Sequence, residues 1–180
     1  MSRIDDLADS FEKHISAPWQ KNIAGAQKVI FIVYPKEDER RLRIKIKEFE
    51  QRAKVAGRGW KELDFTSFFA QWMSKDEYKD EYFQHPDDIQ IKLNDEFTKE
   101  CADQLIGLLR STDVNDNTVV AIYGIACLYG FTRLHSILQK ADGDIKGRLV
   151  VFFPGSYDQN VYRLMDARDG WNYLATPIVN

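Results

Sequence analysis

The chain has 180 residues, of which 44% are hydrophobic and 29% are charged, and its formal net charge is −3. These values are typical of one soluble globular domain with a sizeable core, and the small negative charge gives no indication of a nucleic-acid partner. Two cysteines and three histidines, without a CxxC pair or metal-ligand spacing, leave little material for a metal site and favour reduced thiols over a disulfide framework.

The first third of the chain predicts two helices and two strands. Apolar residues at helical spacing over 2–15 predict an amphipathic helix, with Ser2 as its N-cap. The continuous apolar run at 28–34 is typical of a strand that is buried on both faces. A second helix is predicted over 38–56, and the alternation of apolar and polar residues over 60–65 indicates a half-buried strand.

The rest of the chain continues this alternation. The aromatic-rich segment 66–83 is interpreted as one or two short helices, and 66–86 as a flap or insertion within a single domain that spans 1–180. Further predicted elements are a long helix from Pro86, strands at 118–124, 147–154 and 171–179, a helix at 131–140 and a short helix at 158–166. Strands alternating with helices, three of the strands wholly apolar, predict a three-layer α/β fold. We expect a mainly parallel central sheet of about five strands flanked by helices, P-loop/Rossmann-like but without a phosphate-binding loop.

No segment predicts a secretion signal or a membrane anchor. The N-terminal residues carry acids throughout and lack the apolar core of a signal peptide. The longest apolar run, at 118–131, is shorter than a bilayer span and contains two glycines. We therefore expect a cytoplasmic protein without membrane contact.

The turn after the first strand lacks the residues that a nucleotide site needs. Phosphate groups are bound by glycine-rich turns, whose backbone N–H groups can approach them closely. Residues 35–39 are Pro-Lys-Glu-Asp-Glu, and neither GxGxxG nor GxxxxGK[ST] occurs in the chain, which excludes a standard dinucleotide or P-loop site. A degenerate nucleotide-binding-type domain stays open as an alternative, in which the loop 124–133 meets phosphate and the stretch 40–47 meets a nucleic-acid backbone.

That stretch contains five cations within about two helical turns. They are Arg40, Arg41, Arg43, Lys45 and Lys47. Acidic residues flank the stretch on both sides, so we favour a solvated helix face whose charges pair with each other. Nucleic acid is accordingly expected to be at most a weak or indirect partner.

Isolated residues with reactive side chains do not form a recognisable site in the sequence. Cys127 is a candidate nucleophile with His135 as its base, and Asp64 is a candidate magnesium ligand at the end of a strand. We favour packing for the cysteine and capping of a helix at 66 for the aspartate. The sequence predicts no catalytic residue, no metal and no cofactor, and hence a protein that is not an enzyme.

Three acids follow the strand at 147–154. Asp158, Asp166 and Asp169 are candidates for paired carboxylates in acid–base chemistry. Arg163 and Arg168 are interleaved with them, and we expect these arginines to pair with the acids.

Several motifs resemble those of the BrxB family, small accessory proteins of bacteriophage exclusion (BREX) systems. The motifs are SRIDDL at 2–7, AQKVIFIVYPKEDERRLR at 26–43, the 124–133 loop that ends in GFTR, VFFPGSYDQNVYRLMD at 151–166, and DGWNYLA at 169–175. The resemblance implies a role in restricting phage beside a DNA methyltransferase, a large AAA-type ATPase and PglZ, a member of the alkaline-phosphatase superfamily. Of these, PglZ is the partner that the resemblance favours. The BrxB family has no established catalytic motif, so the resemblance implies no catalytic residue in this chain.

Candidate contact residues follow from the same motifs and from the chemistry of protein interfaces, where Tyr, Trp and Arg supply most of the binding energy. The candidate partner contacts are Tyr157, Tyr162, Arg163, Arg168, Trp171 and Tyr173, and the candidates in the glycine-rich loop are Gly124, Gly130 and Arg133. We therefore expect a non-enzymatic interaction module.

Overall fold

A seven-stranded sheet forms the centre of the protein, and the computed structural model describes residues 2–180. The strands are β1 (Val29–Tyr34), β2 (Gly59–Asp64), β3 (Thr118–Tyr123), β4 (Arg148–Asp158), β5 (Val161–Leu164), β6 (Trp171–Asn172) and β7 (Thr176–Ile178). The helices are α1 (Arg3–Ser16), α2 (Glu39–Val55), α3 (Phe68–Ser74), α4 (Lys79–Gln84), α5 (Gln90–Lys92), α6 (Thr98–Arg110) and α7 (Leu134–Ala141). The predicted α/β class is confirmed.

The sheet is mixed. Five strands run parallel in the order β2-β3-β4-β1-β7, and the C-terminal half of β4 continues beyond them. There β5 pairs with β4 in antiparallel register and β6 pairs with β5. The sequence predicted a mainly parallel sheet of about five strands. It did not predict this antiparallel extension.

The continuous apolar strands are buried on both faces, because side chains alternate between the two sides of a sheet. Phe31 of β1 joins the core beneath α6 and α7, whereas its neighbour Ile32 joins the core beneath α1 and α2. Phe153 and Phe152 of β4 divide in the same way. The two cores hold the central strands rigidly between helices, so the loops at the strand ends have a fixed base.

The N-terminal helix begins where the sequence predicts. Ser2 is its N-cap, and a capping box joins the Ser2 backbone N–H to the Asp5 carboxylate over 2.8 Å. Such a box satisfies amide groups that have no partner within the helix.

The predicted long helix from Pro86 is interrupted. A 3₁₀ turn at Pro86–Ile89, the short α5 and a π-helical turn at Leu93–Phe97 precede the regular α6. The Thr98 hydroxyl donates to the Leu93 carbonyl over 3.0 Å and so satisfies an acceptor in the widened turn. None of the helices within residues 2–180 is both long and apolar enough to cross a membrane.

The predicted helix at 158–166 is wrong. This segment turns at Gln159 and Asn160, whose φ angles are 46° and 67°, and returns as β5. Two consecutive residues with positive φ form the tight turn that suits the twist of a β-hairpin. The single predicted strand at 171–179 is likewise divided into β6 and β7, which pair with different strands.

Candidate functional site

A cavity of about 590 Å³ lies between the loop that follows β3 and the segment that joins β5 to β6. Its lining comprises Gln90, Asn94, Tyr129, Gly130, Phe131, Thr132, Arg133, Leu134, His135, Leu164, Ala167, Arg168, Asp169, Gly170 and Trp171. One wall follows β3. The other follows β5, whose Leu164 pairs with Gly155 just beyond the parallel part of β4, so the cavity lies near the carboxyl ends of parallel strands, where α/β proteins commonly bind ligands.

The loop after β3 turns sharply at Gly124, which has a φ of 74°. A Cβ atom at this position would lie 2.5 Å from the Asp64 carboxylate and 2.7 Å from the Thr66 backbone nitrogen. Both the backbone conformation and the close approach therefore require glycine. Asp64 accepts a hydrogen bond from the Thr66 N–H over 2.9 Å, so its carboxylate closes the turn that leads to α3.

Four backbone N–H groups of the same loop are directed into the loop itself. Those of Cys127 and Tyr129 donate to the carbonyls of Gly124 and Ala126, each over 3.1 Å. Phe131 donates to the Leu128 carbonyl over 3.0 Å, and the next residue donates to the same carbonyl. The loop is thus a compact, internally bonded turn.

The opposite wall is anchored by Tyr162. This side chain is 0% exposed, and its hydroxyl donates to the Ala175 carbonyl over 3.0 Å. Burial raises the pKa of the phenol well above its ordinary value, with a smaller contribution from Tyr157. Trp171 packs against this anchor, with ring centroids 6.1 Å apart, and lies 5.8 Å from the His135 ring across the cavity lining.

His135 lies on the same wall as Arg133, at the start of α7. Its pKa is lowered from the ordinary value, first by burial and second by the charge of Arg133. Its imidazole is therefore neutral at pH 7 and adds no positive charge to the cavity.

Three arginines in this region have no acceptor for their guanidinium groups. Of the chain's eleven arginines, five pair with carboxylates, namely Arg3, Arg41, Arg43, Arg52 and Arg110, and two, Arg58 and Arg148, donate to backbone carbonyls. Within residues 2–180, the side chains of Arg40, Arg133, Arg163 and Arg168 make neither kind of contact. Arg133 and Arg168 line the cavity from opposite walls, and Asp169 is the one acid in that lining.

The expected pairing of Arg163 and Arg168 with nearby acids is therefore wrong. Asp166 pairs with Lys36, at the N-terminal side of α2. In the β4–β5 ladder Arg163 lies opposite Ser156, and Asp158 lies opposite Val161. Strand register, which alternates side chains between faces, separates charges that are close in the sequence.

The structure brings some of the predicted contact residues together. Gly130, Arg133, Arg168 and Trp171 line the cavity, while Gly124, Tyr157, Arg163 and Tyr173 lie outside its lining. Tyr157 is half-buried, and its hydroxyl donates to the Asn160 side chain over 2.9 Å. Tyr173 is half-buried with its ring 5.9 Å from Phe31, and burial raises the pKa of its phenol.

Tyr162 is the exception among the predicted contacts, since its complete burial leaves it no surface to offer a partner. Sequence reasoning also missed Gln90 and Asn94, which line the third side of the cavity. These two are one helical turn apart and joined by a side-chain hydrogen bond of 3.2 Å. Their i, i+4 spacing was visible in the sequence, but their position beside the C-terminal segment was not.

Both cysteines lie outside the cavity lining. Cys127 is half-buried in the loop after β3, and Cys101 is buried in α6, where burial raises the pKa of its thiol to about 12. Within residues 2–180, no three His, Cys, Asp or Glu side chains are grouped as a metal ion would require.

Comparison with known proteins identifies the family. A family model described as BREX protein BrxB matches residues 62–178, a range that contains every residue of the cavity lining. No curated protein and no solved structure matches the chain. Because the family model covers more than half of the sequence, this chain belongs to the BrxB family of BREX proteins.

Proposed function

We propose that this protein is a non-catalytic interaction component of a BREX phage-defence complex, that it docks on PglZ, and that it helps to assemble the methylation and restriction machinery. Membership of the BrxB family supports a place in a BREX system. The observation that carries the docking role is the group of arginines without acceptors, Arg133, Arg163 and Arg168, around a cavity that Trp171 lines.

A guanidinium group offers five N–H donors, and those of these three arginines have no protein acceptor in the part of the chain that the structure describes, residues 2–180. Arginine and tryptophan side chains in such settings are the residues that dominate binding energy at protein interfaces. The anchored hairpin holds Trp171 in place before any partner arrives, which reduces the entropy lost on association. This surface therefore suits a protein partner that supplies acceptors. Further BREX components, the AAA-type ATPase and the methyltransferase, are proposed as secondary partners.

We propose no reaction for the cavity. The paired-carboxylate chemistry considered for residues 158–169 needs two carboxylates in reach of one substrate, whereas Asp169 is the one acid in the lining. Cys127 lies in the loop after β3 but outside that lining. If the protein has no catalytic role for Cys127, we expect a mild electrophile to leave this thiol unlabelled.

We also propose that the fold is a three-layer, P-loop/Rossmann-like arrangement without a phosphate-binding loop. The parallel pairings of β2, β3, β4, β1 and β7 support this description, as do helices packed on both faces of the sheet. The residues after β1, Pro35 to Asp38, form a 3₁₀ turn without glycine.

Co-purification with PglZ tests the docking role. We expect a complex at micromolar concentration, and we expect the charge reversal Arg163→Glu/Arg168→Glu to weaken it by about tenfold or more, since hot-spot losses exceed about 1.4 kcal/mol. The matched control is Arg40→Glu, because Arg40 also lacks an acid partner but lies on α2, against the opposite core. Absence of a complex with the unaltered protein at about 10 μM, a concentration at which specific interfaces are populated, would overturn the proposal.

A further inference from the structure

We propose that the cavity between the β3 loop and the β5–β6 segment receives an acidic peptide segment of a protein partner, with Arg133 and Arg168 as the charge partners of its carboxylates. This inference rests on the proposed docking function and specifies the chemistry that the docking partner presents.

The charges of the lining point to an anionic ligand. Arg133 and Arg168 are exposed, lie on opposite walls, and make no contact with an acid within residues 2–180. Asp169 contributes one negative charge, so the lining carries a net charge of +1 at neutral pH, with His135 neutral. The planar guanidinium group binds a carboxylate through two parallel hydrogen bonds, which gives such a pair both energy and direction.

The remaining lining suits a peptide. A volume of about 590 Å³ is enough for two or three side chains, and it falls in the usual range of binding cavities. Phe131 and Trp171 offer aromatic surface to apolar groups. Gln90 and Asn94 are joined by one hydrogen bond and keep further amide donors and acceptors for a peptide backbone.

Phosphate is the competing anionic occupant, because the backbone N–H groups of Gly130, Leu134 and His135 in the lining have no acceptor within residues 2–180, and the test below separates it from a carboxylate. Phosphate sites in α/β proteins rely on free backbone N–H groups that converge on the anion. Four other N–H groups of the loop after β3 donate to carbonyls of the loop itself. A carboxylate bound by two arginine side chains does not need backbone amides.

The test is an NMR titration of the ¹⁵N-labelled full chain with two capped hexapeptides, Gly-Glu-Glu-Leu-Glu-Gly and its analogue with Gln in place of every Glu. We expect the acidic peptide to shift the Trp171 indole and His135 ring resonances in a saturable way, and the Gln analogue to leave them in place. The variant Arg133→Glu/Arg168→Glu should weaken acidic-peptide binding by about tenfold or more, the loss of one to two charge-assisted pairs. Arg40→Glu, the matched control, should bind the peptide like the unaltered protein.

Two further arms decide between sources of negative charge. Inorganic phosphate and ATP are titrated under the same conditions. If either one shifts the Trp171 resonance while the acidic peptide does not, the cavity is a phosphate site and the proposal is overturned. If the acidic peptide produces no shift at millimolar concentration, the proposal is likewise overturned.

These outcomes are separable from those for the docking role. If the acidic peptide binds but no PglZ complex forms, the choice of PglZ as partner is wrong and the cavity still binds acidic peptides. A PglZ complex that is insensitive to Arg133→Glu/Arg168→Glu, together with an inert cavity, would retain docking and exclude the cavity as its site. Both arginines are exposed, so an unchanged circular dichroism spectrum is the expected sign that the variants fold.

Discussion

Most basic side chains on α2 form ion pairs, whereas the arginines around the cavity form none in the described part of the chain. On α2, Arg43 pairs with Glu39 over 2.9 Å, and Lys47 pairs with Glu50 over 2.9 Å. Arg52 contacts three carboxylates, those of Asp9, Glu12 and Glu48, at 2.6 to 2.8 Å. At the C-terminal surface, Arg133, Arg163 and Arg168 contact no acid within residues 2–180.

For Arg163 and Arg168 the difference is one of geometry, since acids are near them in sequence, as they are on α2, whereas no acid lies within eight residues of Arg133. On a helix, residues three or four apart share a face, and α1 lies alongside α2 with a row of acids of its own. On β4, β5 and the following turn, neighbouring charges project in different directions, as the pairing of Arg163 with Ser156 shows. Most basic side chains of α2 are therefore paired on folding, with Arg40 as an exception within residues 2–180, and we propose that the arginines around the cavity serve binding.

The largest loss of stability is expected at Tyr162, the buried residue next to Arg163 in β5. Tyr162→Ala removes a fully buried ring and the hydrogen bond to Ala175, and we expect it to lower the free energy of unfolding by about 3–5 kcal/mol. Chemical denaturation followed by circular dichroism measures the change. Tyr157→Ala, on the same hairpin but half-buried, is the control and should cost about half as much or less. Equal losses for both would show that Tyr162 is no anchor.

An intermediate effect is expected on α2. Arg52→Leu removes the cation that Asp9, Glu12 and Glu48 share, and we expect a loss of about 1–2 kcal/mol in the free energy of unfolding at pH 7. Lys54→Leu is the control, because Lys54 is exposed and contacts Glu50 alone, and it should cost about 0.5 kcal/mol or less.

The pH dependence of the same pair of variants adds a second measurement. The hydrogen bond from Arg52, opposed by burial and helped by Lys45, lowers the pKa of Glu48. A carboxyl group with a lowered folded-state pKa stabilises the fold above its unfolded pKa of about 4.3, and this contribution is lost as pH falls through the folded value. The deficit of Arg52→Leu should therefore shrink below about pH 4. A deficit that stays constant from pH 7 to pH 3 would mean that packing, not charge, is what Arg52 contributes.

The smallest effect on stability is expected at the cavity itself. Arg168 is exposed and has no acid partner, so Arg168→Ala should change the free energy of unfolding by less than about 0.5 kcal/mol. Thermal and chemical unfolding measure this change. A decrease of more than about 1 kcal/mol in the free energy of unfolding would show that Arg168 stabilises the fold and would contradict a role in binding alone.

Much of the secondary structure was predictable. Apolar strands at β1, β3 and β4, the capped α1, and the salt-bridged face of α2 all depend on residues within one or two turns of each other, and each was predicted. The hairpin of β4 and β5 was not, since its turn contains Gln159 and Asn160 in place of the usual glycine.

The α/β class, the burial of both faces of the central strands and the pairing along α2 follow from the sequence, because hydrophobic periodicity and i, i+4 charge spacing are local properties. Which arginines have no acid partner within residues 2–180, and where they meet, follows from tertiary packing. The walls of the cavity come from 90–94, 129–135 and 164–171, which are brought together by the sheet order and by the burial of Tyr162. No local pattern encodes that meeting, since it depends on the packing of segments up to 80 residues apart.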